Sequence, residues 1–246
     1  MLPSPPSPAL SDIALFLDFD GTLVEIAPTP DAVVLADQLR DLLDRLAAAA
    51  PGRVAVVSGR SIAQLDAFLG SGLIFAGSHG AEIRSPGLAG VTPKRPPELE
   101  YAAAELSAYA DLNGLVFEAK SFGAALHYRL KPECEGEAVA MAERVAATHG
   151  LTLQRGKMVA EVRLPGDKGA AIRALMAEEA MQGALPWFIG DDVTDEDGFA
   201  AASALGGAGV LVGPERDSAA TYRLPGVAAL HDWLAGLLSR PRTSVR

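Results

Sequence analysis

The sequence is poor in cysteine, in aromatic residues and in basic residues, and it has no long apolar run. Its single cysteine, Cys134, cannot form an internal disulfide and lies in a charged segment, so we interpret it as a surface thiol. No stretch reaches the 18 or so apolar residues that a membrane-spanning helix needs. We therefore expect no membrane partner. The formal net charge of -10 argues against a nucleic-acid partner, because a polyanion binds clustered Lys and Arg.

The N-terminal segment also lacks the features of a targeting signal. Residues 1–12, MLPSPPSPALSD, contain neither a basic region nor an apolar run. They predict a frayed, polar lead-in and no secretion signal. We therefore expect a cytoplasmic protein, acting as a monomer.

Five short apolar runs, each followed by Gly, Ser or Asp, predict buried parallel strands. These runs are residues 14–19, 54–57, 74–76, 187–189 and 210–212. Helical patterns separate most of them: one covers residues 31–50, and Ser61 with Gln64 predicts a capping box at the start of the next. This alternation predicts an α/β fold with a doubly wound, Rossmann-like parallel sheet.

A segment of about 100 residues between the third and fourth strands is far longer than an ordinary crossover connection. Its two ends are rich in Pro and Gly, as hinges between domains tend to be. The pattern inside is helix, strand, strand, helix, strand, strand. We therefore predict a core domain of residues 1–95 and 166–246 that carries a smaller inserted α/β cap domain, residues 96–165.

Two carboxylates follow the first predicted strand, in the motif DFDGT. Because strand side chains alternate, Asp18 and Asp20 should point the same way, with Phe19 on the opposite face. Asp-Gly is also common turn chemistry. However, two acids at the end of a buried strand repel each other, and such a pair usually needs a metal ion or a shared proton.

Three further motifs could place polar groups at the same sheet edge, although each motif alone also fits an ordinary structural role. Ser58, in SGR, could bind an anion or simply belong to a strand-to-helix turn. Lys168, in GDKGA, lies at a helix start and could bind phosphate or be a solvated surface lysine. The loop GDDVTDED supplies Asp191, Asp192 and Asp195, which could cap a helix or, as hard oxygen ligands, bind Mg²⁺.

The motifs DFDGT, SGR, an isolated lysine and GDDVTDE, in this order, resemble those of the haloacid dehalogenase superfamily of phosphohydrolases. The resemblance implies that Asp18 is the nucleophile and that Asp20 first protonates the leaving oxygen and then activates water. It also implies a Mg²⁺ ion held by Asp18, the backbone carbonyl of Asp20, and Asp191. An acid at position 20 excludes the dehalogenase branch.

The same resemblance implies a phosphate site. Ser58 and Lys168 would hold the phosphate, and Asp192 and Asp195 would support the metal or Lys168. Positive charge is needed there because an anionic carboxylate must approach a phosphate dianion.

The alternation of residues in the inserted domain predicts a sheet with one apolar and one charged face. Apolar residues expected to face the helices are Leu115, Phe117, Ala119, Leu126 and Tyr128. Charged residues expected on the other face are Glu118, Lys120, His127, Arg129, Lys157, Glu161 and Arg163. A solvated sheet face would look the same. In a closed cleft, however, such a mixture of donors and acceptors suits sugar hydroxyls.

The segments FEAKSFGAALHYR, GKMVAEVRLPGDKG and GSHGAE resemble trehalose-6-phosphate phosphatases, and the likeness extends over residues 14–233. The resemblance implies hydrolysis of trehalose 6-phosphate to trehalose and phosphate. It also implies sugar-phosphate contacts from Glu118, Lys120, Arg129, Lys157 and Glu161. His79, in GSHG, is interpreted as structural.

Two alternatives remain open at this point. Another capped phosphatase, acting on sucrose phosphate or a glycosyl-phosphoglycerate, would share the core chemistry. A catalytically silent sugar-phosphate sensor is disfavoured, because every charged group that the chemistry needs is present.

Overall fold

The structure is a computed structural model that describes residues 1–27, 33–70, 72–85, 95–156 and 158–239. The chain divides into two compact units. The first unit combines Met1–Thr92 with Asp167–Arg246, and the second is Pro93–Gly166.

The strands of the described residues, in chain order, are β1 (Ile13–Leu17), β2 (Val54–Val57), β3 (Ile74–Gly77), β4 (Glu82–Arg84), β5 (Val116–Lys120), β6 (Gly123–His127), β7 (Thr152–Gly156), β8 (Val159–Arg163), β9 (Leu185–Gly190), β10 (Ala208–Val212) and β11 (Tyr222–Leu224). The α-helices are α1 (Asp37–Ala49), α2 (Ile62–Leu69), α3 (Pro97–Asn113), α4 (Glu135–His149), α5 (Lys168–Met176), α6 (Glu196–Ala204) and α7 (Val227–Leu238). Short 3-10 turns lie at Leu10–Asp12, Ser78–Gly80, Pro132–Cys134, Glu179–Met181 and Val193–Asp195.

The first unit is built on a seven-stranded sheet with the order β11-β10-β9-β1-β2-β3-β4. Its neighbours pair in parallel except β3 and β4, which are antiparallel. Strand β1 lies at the centre, and all five of its residues are buried. The apolar run that predicted this strand is therefore explained by burial on both faces.

Two apolar clusters cover the two faces of this sheet. Ile13, Leu15 and Leu17 of β1 belong to one cluster, together with the buried leucines of α1, α2 and α7. Ala14 and Phe16 belong to the other, which contains residues of α5 and α6. Burying each such Leu or Phe side chain contributes roughly 1.5–3 kcal/mol. Helices on both faces of a parallel sheet confirm the predicted doubly wound fold.

The second unit is a four-stranded antiparallel sheet with the order β5-β6-β8-β7. Buried residues of α3 and α4 share one apolar cluster with Leu126 of β6 and Val162 of β8. In the described part of this unit, helices therefore cover one face of the sheet, and the alternation of the strands directs Glu118, Lys120 and Glu161 to the opposite face. By the same alternation Ala119 lies on the helix side, as expected, paired with the buried Ala124, although it is itself exposed near the end of the edge strand β5.

The structure differs from the sequence prediction at several elements of the first unit. Strands β4 and β11 were not predicted; each has only three residues and lies at an edge of the sheet. Helix α1 begins at Asp37 and not at residue 31, which lies outside the described residues. The capping box at Ser61 is confirmed, because Ser61 Oγ accepts from Gln64 N and the Gln64 side chain accepts from Ser61 N.

The prediction of a frayed N-terminus is wrong. The Trp233 indole donates to the Pro6 carbonyl at 2.9 Å, and the Arg223 backbone N–H donates to the Pro3 carbonyl at 2.9 Å. Leu2 packs against the apolar cluster that contains Phe16. The prolines keep their carbonyl acceptors, and these acceptors attach the segment to α7 and β11.

Candidate active site

The carboxyl end of β1 places Asp18 inside the first unit. The Asp18 backbone N–H donates to the Ile189 carbonyl of the neighbouring strand at 2.9 Å, so the sheet ladder continues to this residue. The Asp18 side chain is buried, and Phe19, the next residue, points into the apolar core. Gly21 then turns the chain at a φ of 82°, and a Cβ at this position would lie 2.1 Å from an Asp191 oxygen. Glycine is therefore required at position 21.

A buried lysine contacts the Asp18 carboxylate. Lys168 is the first residue of α5, and its side chain is only 3% exposed. Its Nζ lies 2.6 Å from Asp18 Oδ1 and 2.6 Å from Asp195 Oδ1. Asp167 caps the same helix by accepting from the Ala170 N–H. Lys168 is thus a buried cation shared between two acids, and the surface-lysine interpretation does not apply.

The acidic loop after β9 is organised around Asp195. This side chain is fully buried, and its second oxygen accepts from the backbone N–H groups of Asp191 at 2.8 Å and Asp192 at 3.0 Å. The Asp192 carboxylate itself is exposed and caps the following turn through Val193 N at 2.7 Å. Asp195 therefore joins the loop to Lys168, whereas Asp192 stabilises the turn.

Thr22 connects the two acids that end β1 and β9. Its hydroxyl is buried, 2.9 Å from Asp191 Oδ1 and 3.4 Å from Asp18 Oδ2. The motif DFDGT contains Thr22, but the sequence alone predicted no role for it. In metal sites, hydrogen bonds from neighbouring groups orient the ligands. The Thr22 hydroxyl is placed to orient Asp18 and Asp191 in this way.

The cluster carries more negative charge than its lysine can balance. Carboxylate oxygens of Asp18, Asp191 and Asp195 lie within 4.8 Å of one another. Burial raises the pKa of Asp18 to about 8 against the opposing effect of Lys168, and burial also raises the pKa of Asp191. Burial alone would lower the pKa of Lys168, but Asp18 and Asp195 together raise it above its ordinary value. Three acids around one ammonium make a donor set that can hold a cation, and all-oxygen ligands suit a hard one.

Asp20 has a separate cationic partner. Arg60 Nε lies 2.7 Å from Asp20 Oδ2, and Arg60 Nη2 lies 2.7 Å from Asp20 Oδ1. Ser58, which is buried, accepts from the Arg60 backbone N–H through its Oγ at 3.1 Å, so its own hydroxyl proton is available to another acceptor. The SGR motif predicted a role for Ser58 but none for Arg60.

A left-handed turn supports this loop. Ser78 and His79 have φ values of 49° and 56°, which is uncommon for residues other than glycine. Their backbone N–H groups donate to the carbonyls of Arg60 at 2.8 Å and Ser58 at 2.9 Å. These backbone contacts hold the turn in place, and the structural role expected for the His79 side chain stays a prediction.

In the second unit, several residues expected to bind the sugar lie on the uncovered sheet face. Lys120 pairs with Glu161 across the sheet, and Glu118 Oε2 lies 2.8 Å from His127 Nε2. Arg129 follows β6, is exposed, and lines a cavity of about 530 Å³ with Glu118 and His127. Lys157 lies outside the described residues.

Comparison with known proteins identifies the family. A family model described as trehalose-phosphatase matches residues 16–228. The chain is 40% identical over 227 residues to the trehalose-6-phosphate phosphatase of Escherichia coli strain K12, covering 90% of this chain and 85% of that protein. The chain belongs to the trehalose-phosphatase family. A second relative of this family, the probable trehalose-phosphate phosphatase of Sinorhizobium fredii, is 37% identical over 234 residues, with coverage of 93% and 88%.

A solved member of the trehalose-phosphatase family has a similar structure. The trehalose-6-phosphate phosphatase of Aspergillus fumigatus, crystal form 3, is similar with a TM-score of 0.69 at 25% identity. The match covers 97% of this chain and 99% of that one. The region that matches the family model begins in β1 and ends in α7, so it contains every candidate site residue described above.

Proposed function

We propose that this trehalose-phosphatase hydrolyses trehalose 6-phosphate to trehalose and inorganic phosphate through a phosphoaspartate on Asp18. The observation that carries the proposal is the buried Asp18 carboxylate, 2.6 Å from the Lys168 ammonium within a cluster of acids. The substrate is supported by the relative that is 40% identical and carries the name trehalose-6-phosphate phosphatase.

In the first step, an Asp18 oxygen attacks the phosphorus, and the bond from phosphorus to the sugar oxygen breaks. Asp20 gives its proton to the departing oxygen, which leaves as the C6 hydroxyl of trehalose. Lys168 and the Ser58 hydroxyl bind the phosphate oxygens, and their contact lowers the repulsion between a carboxylate and a phosphate dianion.

In the second step, water attacks the phosphorus of the phosphoaspartate, and Asp20 accepts a proton from that water. The bond from phosphorus to the Asp18 oxygen breaks, which restores the carboxylate and releases inorganic phosphate. Asp20 is then protonated again and ready for the next sugar phosphate.

We propose Mg²⁺ as the cation, held by Asp18, the Asp20 backbone carbonyl and Asp191. When bound, it supplies positive charge at the phosphate oxygens. Both Asp195 oxygens already accept from Lys168 and from two backbone N–H groups, so we assign Asp195 to the support of Lys168 and the loop. We assign Asp192 to support of the same loop, because its exposed carboxylate caps the turn.

We further propose that the second unit is a cap that recognises the trehalose part of the substrate. Glu118, Lys120, Arg129, Lys157 and Glu161 are assigned to this role. The support is the charged sheet face opposite the helices of this unit, on which acids and bases alternate along the strands: Glu118 and Lys120 in β5, Glu161 and Arg163 in β8. A monomeric state and a cytoplasmic location stay predictions.

The experiment is a comparison of two variants on two esters. Asp18→Asn should abolish phosphate release from trehalose 6-phosphate and from p-nitrophenyl phosphate, because both need the nucleophile. Asp20→Asn should lose turnover of the sugar ester but still release a burst of p-nitrophenolate, which leaves without a proton. Asp12→Asn, an exposed acid before β1, is the control and should behave like the unchanged protein. Substantial turnover by Asp18→Asn would contradict the assignment.

A further inference from the structure

Arg60 is the buried group that engages Asp20. Both oxygens of the Asp20 carboxylate accept from the guanidinium, at 2.7 Å each, in the bidentate arrangement that fixes direction as well as distance. The Asp20 side chain is 38% exposed, whereas the Arg60 side chain is 8% exposed. The arginine is therefore the fixed partner and the aspartate the more accessible one.

Several contacts hold the Arg60 guanidinium in place. It lies over the rings of Phe19 and Phe68, 5.4 Å and 5.0 Å from their centroids. The two rings contact each other at a centroid distance of 5.5 Å. The Arg60 backbone is held at both ends, since its N–H donates to Ser58 Oγ and its carbonyl accepts from the Ser78 N–H. Such a support leaves little freedom for the side chain to turn.

The two aspartates of the DFDGT motif thus have different cationic partners. Lys168 contacts Asp18 and Asp195, and Arg60 contacts Asp20. Among the described residues, the acids grouped as a possible metal site do not include the Asp20 carboxylate. The Asp20 carboxylate therefore pairs with Arg60 and lies outside the group of acids that could hold a cation.

We propose that Arg60 is a positioning residue for Asp20, aiming the Asp20 carboxylate for proton transfer to the leaving oxygen and from water. This inference rests on the proposed function, which gives Asp20 those two proton transfers. A carboxylate held by a fixed bidentate partner meets the leaving oxygen in one orientation, and a displacement of about 1 Å in such a group can cost on the order of 100-fold in rate.

The test compares Arg60→Met and Arg60→Lys on the same two esters, in the full-length protein with Mg²⁺. Arg60→Met should lower kcat for trehalose 6-phosphate by roughly 10- to 100-fold, because the Asp20 carboxylate is no longer held in one orientation. The burst of p-nitrophenolate should be nearly unchanged, since that step needs no proton donor. Arg60→Lys should fall between, because an ammonium can contact one oxygen but cannot form the bidentate pair.

A matched control is a second bidentate pair in the first unit. Arg84 contacts Asp66 through two hydrogen bonds of 2.6 Å, and its guanidinium lies 4.9 Å from the Phe75 ring. Arg84→Met loses the same kind of interaction outside the site and should leave the ratio of the two activities unchanged. Should Arg60→Met not fold, as judged by circular dichroism, Arg60→Lys carries the same comparison.

A double variant separates positioning from a merely structural role. If Arg60 acts through Asp20, then Arg60→Met should add little to the loss already caused by Asp20→Asn. Losses that add fully, or a burst of p-nitrophenolate that falls in Arg60→Met as far as kcat for trehalose 6-phosphate does, would overturn the inference. If Asp20→Asn itself fails to distinguish the esters, the proposed role of Asp20 fails instead, so the two failures can be told apart.

Discussion

Replacement of Asp195 by alanine should show how much the acidic loop depends on one buried carboxylate. This side chain accepts from Lys168 Nζ at 2.6 Å and from the backbone N–H groups of Asp191 at 2.8 Å and Asp192 at 3.0 Å. Leaving a buried donor unsatisfied costs about 1–3 kcal/mol, and breaking a buried ion pair costs about 3–5 kcal/mol. Lys168 keeps Asp18 as a partner, so we expect the free energy of unfolding to fall by about 3–5 kcal/mol and not by the sum of these costs.

The assay is urea denaturation followed by tryptophan fluorescence. Both tryptophans of the chain, Trp187 and Trp233, lie in the first unit, so the signal reports the unit that contains the change. Asp192→Ala is the matched control in the same loop, because its exposed carboxylate caps the following turn, which is worth about 1 kcal/mol. The reasoning is refuted if Asp195→Ala destabilises the protein no more than Asp192→Ala does.

Three further predictions concern the metal site, the sugar site and pH. Thr22→Val keeps the side-chain shape but removes the hydroxyl between Asp18 and Asp191. The affinity for Mg²⁺, measured by calorimetry, should therefore fall roughly 10- to 100-fold. An unchanged affinity would exclude a role of Thr22 in orienting the metal ligands. Glu161→Ala should lower kcat/KM for trehalose 6-phosphate by roughly 10- to 100-fold and leave the turnover of p-nitrophenyl phosphate nearly unchanged. Glu143→Ala, on the exposed side of α4, is the control. Equal losses for both esters would contradict a role of Glu161 in sugar recognition. In EDTA, the free energy of unfolding should fall as pH rises from 4 to 8, because folded Asp18, with its pKa raised from 3.8 to about 8, binds a proton that the unfolded chain has lost. The stability contributed by the proton on Asp18 is fully present below pH 4 and is lost as pH rises through 8. Asp18→Asn should therefore flatten the dependence of the free energy of unfolding on pH. An unaltered dependence would contradict the raised pKa of Asp18.

Much of the first unit could be predicted because its strands are buried on both faces. Continuous apolar runs such as residues 14–17 and 54–57 are typical of strands that are covered on both faces of a sheet. The end of each run then places its polar residues at one sheet edge, which is why Asp18 and Asp191 could be expected to lie together.

The elements that were not predicted carry little local signal. Strands β4 and β11 are three-residue edge strands, and their pairing depends on the neighbouring strand more than on their own composition. The N-terminal segment is attached through backbone carbonyls of Pro3 and Pro6, which composition does not reveal.

The residues missed in the site were missed for a similar reason. Thr22 acts through a hydrogen bond to Asp191, which lies 169 positions away in the chain, and Arg60 acts through a pair with Asp20 that is 40 positions away. Such contacts depend on tertiary structure. The signal available in the sequence was that each residue belongs to a motif, DFDGT or SGR, already singled out for its neighbour.

The central claim is tested most directly by phosphate release from a panel of sugar phosphates, measured with Mg²⁺ for the unchanged protein and for Asp18→Asn. We predict the highest kcat/KM for trehalose 6-phosphate, a clearly lower value for sucrose phosphate and for a glycosyl-phosphoglycerate, and no turnover of any of them by Asp18→Asn. A preference for either of the other two esters would contradict the substrate, and turnover by Asp18→Asn would contradict the mechanism.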